Sequence, residues 1–196
     1  MIMVVDAGQA ETDLAAGTLR CPRCACGVLR PWAWARTRLV RQLDGTTARV
    51  RPRRARCRAC RASQVLLPGW CLPRRADAAD VVGAALLAHA GGAGHRTIAA
   101  ELGRPPATVR RWLRAAGGQH TEWLRIRGAQ AAARLDWEKT LTGVFTRRQP
   151  TALAYALSAL GAAALAYRRR LHPRAPAWTL ITVITGGRLL SPVPSG

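Results

Sequence analysis

The twenty residues HRTIAAELGRPPATVRRWLR, His95 to Arg114, decide how the rest of the chain is read. With Gly103 as a turn, the positions where two successive helices must touch are Ile98, Ala99, Leu102, Val109 and Trp112, and all are apolar. Ala99 is small where close approach is needed, and Gly103 supplies the backbone freedom of the turn. Pro106 stands near the first position of the second helix, where a missing N–H does no harm. The pattern predicts short helices over about Thr97–Leu102 and Pro106–Ala115, a helix-turn-helix. Its second helix turns Ala107, Thr108, Arg110, Arg111 and Arg114 outward. Arginine chelates guanine O6 and N7, and an alanine methyl touches thymine, so this face suits the major groove of double-stranded DNA. The blander reading is a three-helix core whose arginines merely solvate one side.

The charge of the whole chain separates those two readings. Of 31 basic residues 30 are arginine, against ten acids, for a formal net charge of +21. Residues 20–75 carry 15 arginines and the single Asp44, a net of +14, whereas residues 1–19 carry three acids and no base. A field this unbalanced attracts a polyanion, and nucleic acid is the usual one. Arg53 and Arg54 in the basic stretch, and Arg96 ahead of the turn, therefore join Thr108, Arg110, Arg111 and Arg114 as expected DNA contacts.

The same basic stretch holds two C-x2-C pairs, Cys21-Pro22-Arg23-Cys24 and Cys57-Arg58-Ala59-Cys60, 32 residues apart. Zn(II) takes four thiolates in a tetrahedron, and two tight turns offering two sulfurs each meet that need. Binding free energy then acts as folding free energy for a module too small to hold itself. A closed four-sulfur site leaves no position for water, so the zinc is structural. Cys26 is either a substitute for Cys24 or free, and Cys71 reads as a small apolar side chain. Glycine often follows such a knuckle, but Ala25 and Arg61 stand there.

Around these motifs the chain divides into a flexible acidic leader (1–19), a zinc ribbon (20–75), a helix-turn-helix domain (76–118) and a helical C-terminal region (119–196). Asp44-Gly45 marks a hairpin between Arg36–Leu43 and Ala48–Arg56, with Pro52 weakening the second strand or placing it at an edge. Val65 to Pro68 supplies a third short strand. A helix opens near Asp77, with Asp77 and Asp80 as first-turn acids, and another runs from Thr121 towards Leu135 despite Gly128. Leu153, Leu157, Leu160, Ala164, Tyr167 and Leu171 form one apolar stripe, which offers a homodimer contact, with Arg168–Arg170 in its last turns and Pro173 as its break. Trp178–Thr185 leans to helix. The four histidines are scattered and read as surface or loop residues. The fold class is thus mostly α with a small β zinc ribbon, followed by a three-helix helix-turn-helix domain and a helical tail.

No basic region opens the N-terminus, and the longest apolar run, Thr151 to Tyr167, is shorter than the roughly 20 residues a bilayer span requires. These features predict a cytoplasmic, nucleoid-associated protein without a membrane partner. An RNase-H-like recombinase needs that fold with three carboxylates for divalent metal. Yet after Gly118 the only acids, Glu122, Asp136 and Glu138, all fall within 17 residues, and neither the number of strands nor the chain length suffices. No nucleophile triad or phosphate loop is present, so no enzyme is expected.

Taken together, Cys21–Cys24, Leu29-Arg30-Pro31-Trp32, Cys57–Cys60, Gly94-His95-Arg96 and Gly103 through Arg114 resemble a group of bacterial zinc-ribbon/helix-turn-helix proteins. These are similar to the DNA-binding N-terminal half of insertion-sequence transposases and often lack the catalytic half. Trp178 to Leu190 is similar to the same group. The resemblance implies zinc at Cys21, Cys24, Cys57 and Cys60 and DNA contact through the second helix of the motif. It also implies an accessory or DNA-targeting factor working beside a separately encoded recombinase. A transcriptional regulator and an RNA-binding or ribosome-associated structural protein are the alternatives.

Overall fold

The computed structural model describes residues 1–136, 149–171 and 174–190; Glu138, Pro173 and the last six residues lie outside them. Six strands come first: β1 (Ile2–Val4), β2 (Leu29–Trp34), β3 (Arg38–Arg41), β4 (Thr47–Val50), β5 (Arg53–Cys57) and β6 (Ser63–Pro68), with helix α1 (Ala7–Ala16) between β1 and β2. Among the described residues six helices follow: α2 (Ala79–Ala90), α3 (His95–Glu101), α4 (Pro106–Ala116), α5 (Gln119–Leu135), α6 (Ala152–Leu171) and α7 (Ala177–Ile184). The mostly helical class with a small β ribbon is the one expected.

The strands form a four-stranded sheet in the order β1-β6-β5-β2 and a separate β3-β4 hairpin. Pro52 does more than weaken a strand. It divides the expected Ala48–Arg56 segment, so that β4 stays with β3 while β5 crosses to pair with β2 and β6. Proline has no N–H to give a ladder, and the chain changes sheets there.

Residues 1–19 are not a flexible leader. Ile2, Met3 and Val4 pair in parallel with Leu66, Leu67 and Pro68, which makes β1 an edge strand of the sheet. Asp6 caps α1 by accepting the Gln9 N–H at 2.9 Å, and Gly17 closes it in the left-handed conformation. Ala10 and Leu14 of this helix are buried with Val4, Leu29, Ala55 and Leu66 beside Cys21 and Cys57. Asp6 is exposed and Glu11 pairs with Arg53 at 3.1 Å, while the apolar stripe seals the ribbon.

The larger core is helical and includes Val82, Leu86, Ile98, Trp112, Leu124, Leu160, Leu180 and Leu189. Met3, Val40, Leu67 and Leu72 from the β region are buried in the same cluster, so the hairpin and the end of β6 dock onto the helices. Gly128 has a packing reason: a Cβ there would lie 2.7 Å from the backbone of Ala159 and Leu160, so only glycine lets α5 and α6 approach this closely. The stripe on α6 buries Leu157, Leu160 and Ala164 within the chain, which removes the motive for reading it as a dimer contact. Trp178 to Ile184 is helical, as leaned to. No helix among the described residues is long and apolar enough to cross a membrane.

Candidate nucleic-acid interface and metal centre

The two knuckles meet. The sulfurs of Cys21, Cys24, Cys57 and Cys60 all lie within 4.8 Å of one another, with Cys21–Cys60 and Cys24–Cys57 each at 3.7 Å. A tetrahedron with Zn–S near 2.3 Å has edges of about 3.8 Å, so the quartet has the dimensions of a zinc site. Ala25 and Arg61, which stand where glycine is usual, both adopt positive φ, 57° and 60°. The turn geometry holds without the glycine. Gly27 completes the cradle, because a Cβ on it would lie 2.3 Å from the Cys57 sulfur. Cys26 is exposed and outside the quartet, and Cys71 is buried, its thiol pushed up to about 12 by desolvation.

Two thiols of the quartet differ in acidity. Backbone N–H groups of Cys24 and Arg23 hold the Cys21 thiol down to about 7. At Cys60 the Ala62 N–H also pulls down, but burial and the three neighbouring sulfurs outweigh it and push that thiol up to about 11. Four thiols this close ionise together only around a metal, which deprotonates its ligands outright. These four residues can hold a metal ion, and their donor chemistry fits zinc.

In the helix-turn-helix, Ile98, Ala99, Val109 and Trp112 are buried and Leu102 is half-buried between α3 and α4. Gly103 has φ +59° in the turn, and Pro106 opens α4. Opposite the buried side, Ala107, Arg110, Arg111 and Arg114 are exposed, with Thr108 half-buried at their border. Arg96 is exposed on α3. None of these four arginines enters an ion pair among the described residues. Two short helices at this spacing, one carrying an arginine face, form a unit that can lie in a groove.

Residues 75–121 match the family model of a homeodomain-like domain. This is a DNA-binding helix-turn-helix class, and residues 75–121 are similar to it, which suggests binding to double-stranded DNA. The match covers α2 to the start of α5, so the homeodomain-like domain is the three-helix unit α2–α4 with its flanks. No curated protein and no solved structure matches the chain.

Two expected contacts lie elsewhere. Arg53 sits 3.1 Å from Glu11 and against the Trp34 ring, and Arg54 bonds Ser63 and lies against Trp32. Both are half-buried in the ribbon sheet, the module in which the sequence places them.

Sequence reasoning missed one polar centre. Asp77 precedes α2 instead of sitting in its first turn, and its side chain is 4% exposed. Arg104, in the turn of the homeodomain-like domain, reaches it at 2.7 Å, and Arg41 of β3 reaches it at 2.8 Å. Arg104 also donates to the carbonyls of Gln42 and Leu102. The turn is thereby clamped to the β3-β4 hairpin. A buried charge needs such partners, but their identity depends on contacts 27 and 36 residues away. Asp80 remains a first-turn acid. His120 departs from the surface reading: it is buried, stacks on Trp123 and bonds the Arg188 carbonyl at 2.9 Å through Nε2.

Proposed function

We propose that this chain is a sequence-specific DNA-binding protein in which α4 reads the major groove and a zinc ribbon supports it. The observation that carries this reading is the two-sided α4: Val109, Trp112 and Ala116 buried on one side, Arg110, Arg111 and Arg114 exposed on the other. The homeodomain-like match over 75–121 supports it. Zn(II) at Cys21, Cys24, Cys57 and Cys60 has a structural role, with Thr108 and Arg96 completing the contact set around α4. Resemblance to the front half of insertion-sequence transposases makes it a DNA-targeting or accessory factor, with catalysis supplied by a separately encoded recombinase. Among the described residues the cysteine quartet is the only group of three or more His, Cys, Asp or Glu placed to hold a metal.

Selection of preferred sequences from random duplex DNA tests the reading. Arg110→Ala, Arg111→Ala or Arg114→Ala at a base-reading position should cost roughly 1–3 kcal/mol at the selected site and relax preference there. Affinity for any duplex should also fall with salt, at a log–log slope of about −0.9 per phosphate neutralised. Folded variants that all select the wild-type sequence would show that α4 is not the reader.

A further inference from the structure

β2 is an edge strand, and it carries two tryptophans that stay half in water, Trp32 at 50% and Trp34 at 48% exposure. A bulge between Pro31 and Ala33 takes Trp32 out of register with β5, and bulges of this kind re-aim a side chain. The segment facing them is the most basic of the chain. Arg54 and Arg56 lie 4.9 and 5.4 Å from the centre of the Trp32 ring, and Arg53 and Arg51 lie 4.7 and 6.0 Å from that of Trp34. Of these four, only Arg53 is matched by a nearby acid among the described residues.

Cation–π contact alone explains why arginine sits beside tryptophan, but not why two large rings remain exposed at one sheet edge within a stretch of net charge +14. Flat aromatic faces among cations are what single-stranded nucleic acid binds: each base offers a π-face, and each phosphate a charge. A duplex keeps its base faces covered by neighbouring bases and offers only edges and phosphates. A guanidinium stacked on indole keeps its edge N–H groups for phosphate oxygens.

We propose that this edge of the ribbon is a second nucleic-acid site, which takes unpaired bases of single-stranded DNA by stacking on Trp32 and Trp34 while Arg51, Arg54 and Arg56 hold the phosphates. It is separate from α4 in residues and in ligand. The choice of DNA rather than RNA rests on the duplex-DNA reading of the homeodomain-like domain.

The test uses the full-length protein with labelled (dT)20, (rU)20 and a random duplex. Trp32→Ala with Trp34→Ala should weaken (dT)20 binding by roughly thirtyfold or more and leave duplex affinity within about twofold. Trp32→Phe with Trp34→Phe should restore most of the loss, and (dT)20 should quench the tryptophan fluorescence of the wild type more than that of the alanine pair. If the alanine pair misfolds, Trp32→Leu with Trp34→Leu keeps the apolar bulk without the stacking face and should show the same loss. Wild-type (dT)20 affinity in a folded alanine or leucine pair, or equal losses on both DNAs, would overturn the site. Tighter binding of (rU)20 with the same tryptophan dependence would overturn the choice of DNA. Arg110→Ala and Arg114→Ala, which test α4, should leave (dT)20 binding unchanged, so the two readings fail separately.

Discussion

The ribbon and the helical half bury apolar cores of very different size. Around the cysteines, the sheet and α1 enclose Val4, Ala10, Leu14, Leu29, Ala55 and Leu66, a core too small to hold a module of this size. The helical half buries Leu86, Ile98, Trp112, Leu124, Leu160 and Leu180 with a broad alanine surface between helices. A module that a bound metal would stabilise needs few apolar residues, and its strands can then be given to arginine. A module that depends on packing must keep its interior apolar and confine charge to one face, as α4 does.

Metal removal should break this comparison most sharply. Chelation, or Cys57→Ser, should unfold the sheet together with β1 and α1 while most helical circular dichroism persists, since structural zinc contributes about 10–16 kcal/mol to such modules. The check is metal content measured beside hydrogen exchange, and a ribbon that keeps its amide protection without metal would refute it. Trp112→Ala is the converse experiment on the packed half, expected to cost about 3–5 kcal/mol. Denaturant melts should show that loss in the helical transition with metal content unchanged. Asp77→Asn tests the clamp between the halves. It should cost about 2–3 kcal/mol and raise exchange in β3, β4 and the turn around Arg104; unaltered protection there would mean that the hairpin is held by Val40 and its apolar contacts alone.

The smallest effect concerns His120. Burial holds its pKa below the ordinary 6.5, against the two carbonyls that favour its protonated form. The folded state therefore binds fewer protons than the unfolded one once pH falls below about 6.5, and stability should decline in that direction. His120→Asn should flatten the decline in melts between pH 7.5 and about 5.5; an unchanged slope would assign it to other groups.

Both signatures that point to function were legible in the sequence, because each is local. Cys21–Cys24 and Cys57–Cys60 announce themselves by spacing, and the Ile98, Val109, Trp112 pattern by helical period. What was missed depends on partners distant in the chain. β1 is three residues long and is a strand only because β6 pairs with it 64 residues later. Helix α1 is held between its Asp6 and Gly17 caps with Ala10 and Leu14 packed among Leu29, Ala55 and Leu66, partners supplied further along the chain. Asp77 carried a helix-start signal and was instead taken up by Arg41 and Arg104.

The parallel pairing of β1 with β6 also sets an order of events during synthesis. Cys21 and Cys60 are 39 residues apart, so at about 5–20 residues per second the first knuckle waits roughly 2–8 s before its counterpart is made. Ile2 to Val4 waits longer still, until Pro68 has left the ribosome. Through that interval the nascent chain exposes three bare thiols, Cys21, Cys24 and Cys26, and an unpaired apolar strand, and an early-bound metal ion on Cys21 and Cys24 would be the first fixed point from which the sheet can close.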